Sequence, residues 1–233
     1  MSQSLRKALL AVADPEIALH SQRFFKTGKG EYGEGDVFLG IRMPVLREHA
    51  RRFKALTLDE VLQSLRSEYH EERLCALVIM VLQFKKGDAA AKQGVYEAYL
   101  RHTAYINNWD LVDTSSHPIV GGYLLDKPRD PLYELAGSDS LWERRIAMMS
   151  TYHFIKLGQF DDTLKLAEIL RDDKEDLIHK VVGWMLREIG KRDVAVEKAF
   201  LAQHYQLMPR TMLRYAIEKF PQGERKTYLS GDV

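Results

Sequence analysis

The chain has 233 residues, of which 45% are hydrophobic and 29% charged, and its formal net charge is +1. This composition is typical of a globular protein, and the near-neutral charge excludes a polycation that binds acidic partners through its whole surface. No apolar run approaches the roughly 18 residues needed to cross a bilayer, and the N-terminus lacks the apolar region of a signal peptide. The single cysteine, Cys75, excludes an internal disulfide and predicts a buried thiol in a reducing, cytoplasmic protein.

Helix signals follow one another along almost the whole chain. Asp14-Pro15 predicts an N-cap followed by a first-turn proline, and Thr57-x-x-Glu60 is a capping box. Four glycines within residues 27–36 predict a loop, which lacks the Gly-Lys-Ser/Thr ending of a phosphate-binding loop. The predicted helices cover about 5–12, 15–26, 44–53, 57–66, 70–86, 89–101, 108–116, 118–126, 140–158, 162–171, 175–188, 194–205, 209–220 and 224–229, and Asp130-Pro131 predicts the start of one more. No run alternates as a strand, so we predict an all-α protein.

A repeat underlies these helices. The small residues Ala76, Ala147, Gly183 and Ala216 each lie mid-helix, shortly after a basic residue, at spacings of 71, 36 and 33. A period near 35 with two helices per unit is typical of HEAT or armadillo repeats, in which small residues let neighbouring helices approach closely. We therefore predict that residues 1–233 form one domain, a curved solenoid of helical hairpins with a concave basic face.

The basic residues are unevenly distributed. Residues 42–54 contain five lysines and arginines against one acid, and residues 180–226 contain ten against five. Segregated charge in a near-neutral protein indicates one surface that faces a polyanion. Solvated helix faces would explain the same distribution equally well.

The segment Asn107-Asn108-Trp109-Asp110-Leu111-Val112-Asp113 carries the main candidate site. Four residues separate Trp109 from Asp113, so on a helix both lie on one face. The ring attracts a cation, and the carboxylate stabilises developing positive charge or positions a water molecule. The structural alternative, a core tryptophan beside a surface acid, is the commoner outcome for such a pair.

Two later helices combine tryptophan with basic residues. Arg144 and Arg145 follow a capped helix start, and Trp184 lies within one turn of Lys180 and Arg187. Guanidinium groups suit phosphate contacts because they present forked donors and stay charged. Periodicity alone would place Trp184 equally well in a core.

Other chemistries have weaker support. The histidines show no spacing typical of metal ligands, so we predict no metal and no cofactor. Ser115-Ser116-His117 precedes Pro118 and is better explained as a helix end than as a nucleophile site.

Four segments match one family in order and at sensible spacing. They are Phe38-Leu-Gly-Ile-Arg-Met-Pro44, Asn108-Trp-Asp-Leu-Val-Asp113, Trp142-Glu-Arg-Arg-Ile-Ala147 and Lys180-Val-Val-Gly-Trp-Met-Leu-Arg-Glu188. With these segments the chain resembles the AlkD-type DNA alkylation repair glycosylases from about residue 20 to 220.

The resemblance implies HEAT-like repeats that bind double-stranded DNA and remove cationic purines such as 7-methylguanine and 3-methyladenine. It implies that Asp113 is the catalytic carboxylate, that Trp109 and Trp184 flank the lesion, and that Arg145 and Arg187 hold the DNA backbone. Phe24 matches a position that is often tyrosine in the family. The candidate DNA-binding residues are Arg145, Arg144, Arg187, Lys180, Arg42, Phe24 and Arg214.

The sequence therefore predicts a monomeric DNA glycosylase that acts on alkylated double-stranded DNA and does not bind membranes. The alternative from another class is a non-catalytic helical-repeat scaffold that binds DNA or protein.

Overall fold

The computed structural model describes residues 2–232, and the prediction of an all-α protein is confirmed. Within these residues the α-helices are α1 (Ser2–Leu10), α2 (Pro15–Phe24), α3 (Met43–Arg52), α4 (Leu58–Leu65), α5 (His70–Lys86), α6 (Ala89–Arg101), α7 (Trp109–Ser116), α8 (Asp130–Ala136), α9 (Leu141–Ser150), α10 (Tyr152–Ile155), α11 (Asp161–Ile169), α12 (Asp176–Gly190), α13 (Val194–His204), α14 (Arg210–Ala216) and α15 (Gln222–Ser230). None of them combines the length and the apolar character that crossing a bilayer requires.

The chain divides into two compact units, the first ending at Tyr123 and the second beginning at Leu124. We call them the N-terminal and C-terminal units. The expectation of a single repeat domain stays a prediction.

The N-terminal unit is built around α5. This helix is apolar on nearly all sides, and α3, α4, α6 and α7 pack against it, so most of its residues are buried. Cys75 lies in this helix and is fully buried. Burial is the main cause that raises the pKa of its thiol to about 12, and the charge of Glu72 adds to the effect.

The segment before α3 is fastened to α5 by one carboxylate. Glu71 accepts hydrogen bonds from the backbone N–H groups of Leu39, Gly40 and Ile41 at 2.8–3.2 Å. Gly40 has a φ of +78°, and a Cβ there would lie 2.0 Å from the carbonyl oxygen of Asp14. Only glycine fits a backbone that approaches α2 this closely.

The C-terminal unit is built around α12, which packs against α9, α13 and α14. A Cβ on Gly183 would lie 2.3 Å from the carbonyl oxygen of Met212 and 2.6 Å from the Cβ of Tyr215. The small residue therefore allows the close approach of α12 and α14, as the repeat pattern predicted.

One predicted break is wrong. His117-Pro118 was expected to end one helix and start another, but α7 continues directly into a π-helical turn, His117–Gly121. Pro118 has no N–H to donate to the preceding turn, and a helix can absorb that loss by widening locally. The side chains that follow Asp113 thus remain on a continuous helical path.

Candidate functional site

The candidate pair Trp109 and Asp113 lies on α7. Trp109 is the first residue of the helix and Asp113 follows one turn later, so the two side chains share a face. Both are half-buried, whereas Leu111 and Val112 between them are fully buried and fix the opposite side of the helix in the core. The arrangement leaves a ring and a carboxylate at the surface of one rigid element.

An aromatic cluster supports the indole of Trp109. The ring of Phe25 stacks on it at 5.1 Å between centroids, and Phe24 meets it edge-on at 5.8 Å. Phe25 stacks in turn on Phe38 at 5.0 Å. Phe24 is 58% exposed, so the aromatic surface continues from Trp109 into solvent without a hydroxyl group.

A buried charge network lies beneath this cluster. The imidazole of His70 contacts Asp36 through Nδ1 and Asp110 through Nε2, each at 2.8 Å. Arg73 donates to the second oxygen of Asp36 at 2.6 Å, and Phe38 stacks on the imidazole at 4.4 Å. Since Asp110 lies in the first turn of α7, the network holds the start of the candidate helix against α5.

Burial alone lowers the pKa of His70, but the carboxylates of Asp110 and Asp36 outweigh it and raise the pKa to about 9. Burial likewise raises the pKa of Asp36, but its contacts with His70 and Arg73 leave that pKa below its ordinary value. At neutral pH the network therefore consists of an imidazolium and a guanidinium set between carboxylates.

The glycine-rich loop 27–36 packs against the start of α7. A Cβ on Gly33 would lie 2.6 Å from the carbonyl oxygen of Phe25 and 3.4 Å from Nδ2 of Asn108, the N-cap of α7. The carboxylates of Glu31 and Glu34 accept hydrogen bonds from backbone N–H groups inside the loop. The loop is therefore part of the frame that holds Trp109.

Ser115 and the buried Tyr99 lie on the inner side of α7. The Tyr99 hydroxyl and Ser115 Oγ are 3.0 Å apart, and Ser115 donates to the carbonyl oxygen of Leu111 at 2.5 Å. Burial is the main cause that raises the pKa of Tyr99, and the charge of Asp113 adds to it. Ser115 has no exposed surface and lies within the continuous helical path from α7 into the π-helical turn rather than at a helix end.

In the C-terminal unit the two candidate arginines of α9 are held by different partners. Arg144 forms an ion pair with Asp173 at 2.6 Å and donates to the carbonyl oxygens of Ser138 and Asp139. Arg145 is 4% exposed and donates to the carbonyl oxygen of Leu177 at 2.6 Å. Both guanidinium groups are thus oriented by contacts within this unit.

The candidates of α12 lie along its exposed side. Trp184 is half-buried, and its Nε1 donates to Glu188 at 3.2 Å. Lys180 pairs with Asp176 at 2.7 Å, and Arg187 pairs with Glu218. The ring of Trp184 is therefore fixed at its nitrogen edge, while basic groups lie one turn to either side.

The sequence model of the DNA alkylation repair enzyme family matches residues 5–220. The chain belongs to this family. The likeness extends to a solved structure described as a predicted DNA alkylation repair enzyme from Enterococcus faecalis, with a TM-score of 0.69 over 90% of this chain and 97% of that one. The two sequences are 16% identical, so that likeness shows the fold alone. No curated protein gave a significant match.

In this member of the DNA alkylation repair family, the matching segments occupy structured positions. The Phe-Leu-Gly-Ile segment is the one fastened by Glu71, and Trp109 with Asp113 lies on α7. Arg42, at the N-cap of α3, and Arg214, on α14, are exposed at the surfaces of their units. Within residues 2–232, no three His, Cys, Asp or Glu side chains are placed to hold a metal ion.

Sequence reasoning missed the residues that support Trp109 in this family member. Phe25, His70, Asp36 and Asp110 all contact one another or the indole, but none was a candidate. The available signals were local: His70 opens an apolar helix, and Asp36 ends the glycine-rich loop. These signals do not indicate that His70 contacts Asp36, 34 residues earlier in the chain, and Asp110, 40 residues later.

Proposed function

We propose that the protein is a DNA glycosylase that releases cationic N-alkylated purines, such as 7-methylguanine and 3-methyladenine, from double-stranded DNA. The observation that carries the proposal is the Trp109–Asp113 pair, a supported indole and a carboxylate one turn apart on α7. Membership in the DNA alkylation repair enzyme family supports the substrate class.

Release of an alkylated purine requires little acid catalysis by the protein. Alkylation at N7 or N3 makes the purine a cation, so when the C1′–N bond breaks the base takes the electron pair and leaves neutral. Positive charge then grows on the deoxyribose, where the Asp113 carboxylate would stabilise it and position the attacking water. The water oxygen bonds to C1′ and its proton passes to solvent, which leaves an abasic site.

The indoles would supply attraction to the cationic base. A cation over an aromatic face gains about 0.5–2 kcal/mol, depending on how well water is excluded. Phe25 and Phe24 hold the ring of Trp109 on two sides, so little side-chain entropy remains to be lost when DNA binds. Trp184 is proposed as the second indole, with its nitrogen edge already fixed by Glu188.

The basic candidates would bind the sugar–phosphate backbone. Arg42 and Arg214 are exposed, and Lys180 and Arg187 form ion pairs with Asp176 and Glu218 that phosphate can replace. Arg145 is proposed as a backbone contact near the lesion. Arg144 already donates hydrogen bonds to Asp173 and to two carbonyl groups, so it could contact a phosphate only if the Arg144–Asp173 ion pair opened.

The test is base release from methylated duplex DNA by Asp113→Asn, with Asp59→Asn as the matched control. Asp59 is an exposed carboxylate on α4, so its variant makes the same charge change on the same unit. We expect Asp113→Asn to keep its melting temperature and DNA affinity but to release bases about 10²–10³-fold more slowly, as when one transition-state-stabilising group is lost. We expect Asp59→Asn to match wild type.

Released bases and abasic sites are measured together. Release at the wild-type rate by Asp113→Asn would remove that carboxylate from the mechanism. DNA binding by the wild type without any abasic product would instead favour a non-catalytic helical scaffold.

A further inference from the structure

The indole of Trp184 donates its N–H to a buried carboxylate on the same helix. Glu188 follows Trp184 by four residues on α12, so the two side chains share one face of that helix. Nε1 of the indole lies 3.2 Å from Oε1 of Glu188, and the side chain of Glu188 is only 7% exposed. This contact places a carboxyl group at the edge of a ring that is proposed to face a cationic base.

Two cations also donate to this carboxyl group. Nζ of Lys191 lies 2.5 Å from Oε1 of Glu188, and Nη1 of Arg192 lies 3.1 Å from Oε2. Burial raises the pKa of Glu188, but the contacts with Lys191, Arg192 and Trp184 outweigh burial and leave that pKa below its ordinary value. Glu188 is therefore an anion at neutral pH.

Solvent screens the two cations more than it screens the carboxylate. The side chain of Lys191 is 42% exposed and that of Arg192 is 30% exposed, so water and salt weaken their fields more than the field of the buried acid. The guanidinium of Arg192 also lies over the ring of Tyr152, 5.9 Å from its centroid. Of these three charges, the one that is hydrogen-bonded to the indole is the least screened, and it is negative.

A carboxylate in this position acts on the indole of Trp184 in two ways. Its field attracts positive charge above the ring. The hydrogen bond also draws the N–H proton towards the oxygen, which moves electron density into the ring and makes its faces more negative. The indole of Trp109 is supported differently, because the rings of Phe25 and Phe24 pack against it.

We propose that Glu188 determines specificity for charge: through the indole of Trp184, its carboxylate favours a cationic base over a neutral base of the same shape. The proposal rests on the proposed function, in which Trp184 faces the lesion, and it assigns the selection of cationic bases to one residue. Glu188 acts through the indole and does not itself contact the substrate. A purely structural role, in which Glu188 only holds the end of α12 through Lys191 and Arg192, predicts different results in the test.

The test compares two DNA duplexes that differ in the charge of one base. One contains 7-methylguanine, which is cationic, and the other contains 7-deaza-7-methylguanine, which is neutral and has the same shape. Both carry a 2′-fluoro substituent on the sugar, which destabilises positive charge there, so neither duplex loses its base. Fluorescence anisotropy at one salt concentration gives a Kd for each duplex. The ratio of the neutral Kd to the cationic Kd is the charge preference, and contacts to the DNA backbone cancel in it.

Glu188→Gln keeps an oxygen that can accept the indole N–H but removes the negative charge. We expect it to lower the charge preference about 3-fold, the order of a unit-charge interaction across one ring in a partly solvated site. Lys191→Gln removes a cation that opposes the same carboxylate, so we expect it to raise the preference about 2-fold. Glu224→Gln is the matched control, because Glu224 on α15 pairs with Lys198 at 2.6 Å and its variant makes the same charge change in the same unit. We expect Glu224→Gln to keep the wild-type preference.

Opposite changes in Glu188→Gln and Lys191→Gln would support the proposal. A fall in both would mean that the ion pairs only hold the end of the helix, and an unchanged preference in Glu188→Gln, or an equal fall in Glu224→Gln, would mean that the charge of Glu188 has no specific effect. Each of these results would overturn the proposal.

Two features keep the test decisive. If the melting temperature showed that Glu188→Gln does not fold, Lys191→Gln would decide alone, because an unchanged or lowered preference in that variant overturns the proposal. Since both duplexes retain their bases, failure of base release from methylated DNA would overturn the proposed function and leave this binding assay valid. A wild-type protein without any charge preference would overturn the present proposal, whatever its rate of base release.

Discussion

The imidazole of His70 is enclosed between the carboxylates of Asp36 and Asp110 and is almost entirely buried. Its pKa of about 9 lies above the value of 6.5 for a free histidine, so folding favours the protonated form. This contribution to stability is complete below about pH 6.5 and is lost as the pH rises through about 9. A shift of this size corresponds to about 3 kcal/mol.

We therefore expect the free energy of unfolding of the wild type to fall between pH 6.5 and pH 9.5, measured by urea denaturation at a series of pH values. His70→Gln should be less stable at pH 6.5, and its stability should depend far less on pH over this range. His20→Gln, which changes an exposed histidine on α2, should follow the wild-type profile. If the stability of His70→Gln depended on pH as much as that of the wild type, a group other than His70 would be its cause.

At the scale of one helix, Gly183 sets how closely α12 approaches α14. Since a Cβ at this position would overlap the carbonyl oxygen of Met212, Gly183→Ala should push the two helices apart and destabilise the protein by about 1–3 kcal/mol. The neighbouring Trp184 would move with α12, so base release should fall more than DNA affinity.

Gly94 provides the matched control, because it is also a glycine within a helix, α6, and a Cβ there would meet nothing within 4 Å. Gly94→Ala should stabilise the protein by about 0.5–1 kcal/mol, since alanine has the higher helix propensity. Thermal or urea denaturation measures the change in stability of each variant, and we expect the two changes to have opposite signs. A Gly183→Ala variant as stable as Gly94→Ala would contradict the close packing of α12 and α14.

The helices themselves were predictable because their signals are local. Caps such as Asp14 and Thr57 make the predicted hydrogen bonds, and the apolar run of α5 is buried as its pattern requires. The π-helical turn after α7 was not predictable from Pro118, because a proline can either end a helix or widen it, and tertiary packing decides between the two outcomes.

The candidate site was predictable only in part, because part of it depends on tertiary packing. Helical spacing is enough to place Trp109 and Asp113 on one face. The support beneath them depends on contacts between distant parts of the chain, such as His70 with Asp110, which no local pattern specifies. The role of the glycine-rich loop in framing α7 likewise follows from the approach of Gly33 to Asn108 and Phe25.

For the molecule as a whole, the single cysteine provides a probe of global unfolding. Cys75 is fully buried in α5, and its raised pKa keeps the thiol protonated at neutral pH. We expect no reaction with a disulfide reagent such as Ellman's reagent in the native protein, and one equivalent of reaction in 6 M guanidinium chloride. Rapid labelling of the folded protein at pH 7 would contradict the burial of α5.

This placement of Cys75 also bears on survival under chemical stress. Electrophiles that methylate purines also attack thiolates, so a repair protein is needed most when its own nucleophiles are most at risk. With its only sulfhydryl protonated and shielded inside α5, the protein offers such agents no reactive thiolate, and its working lifetime during an exposure would not be limited by alkylation of cysteine.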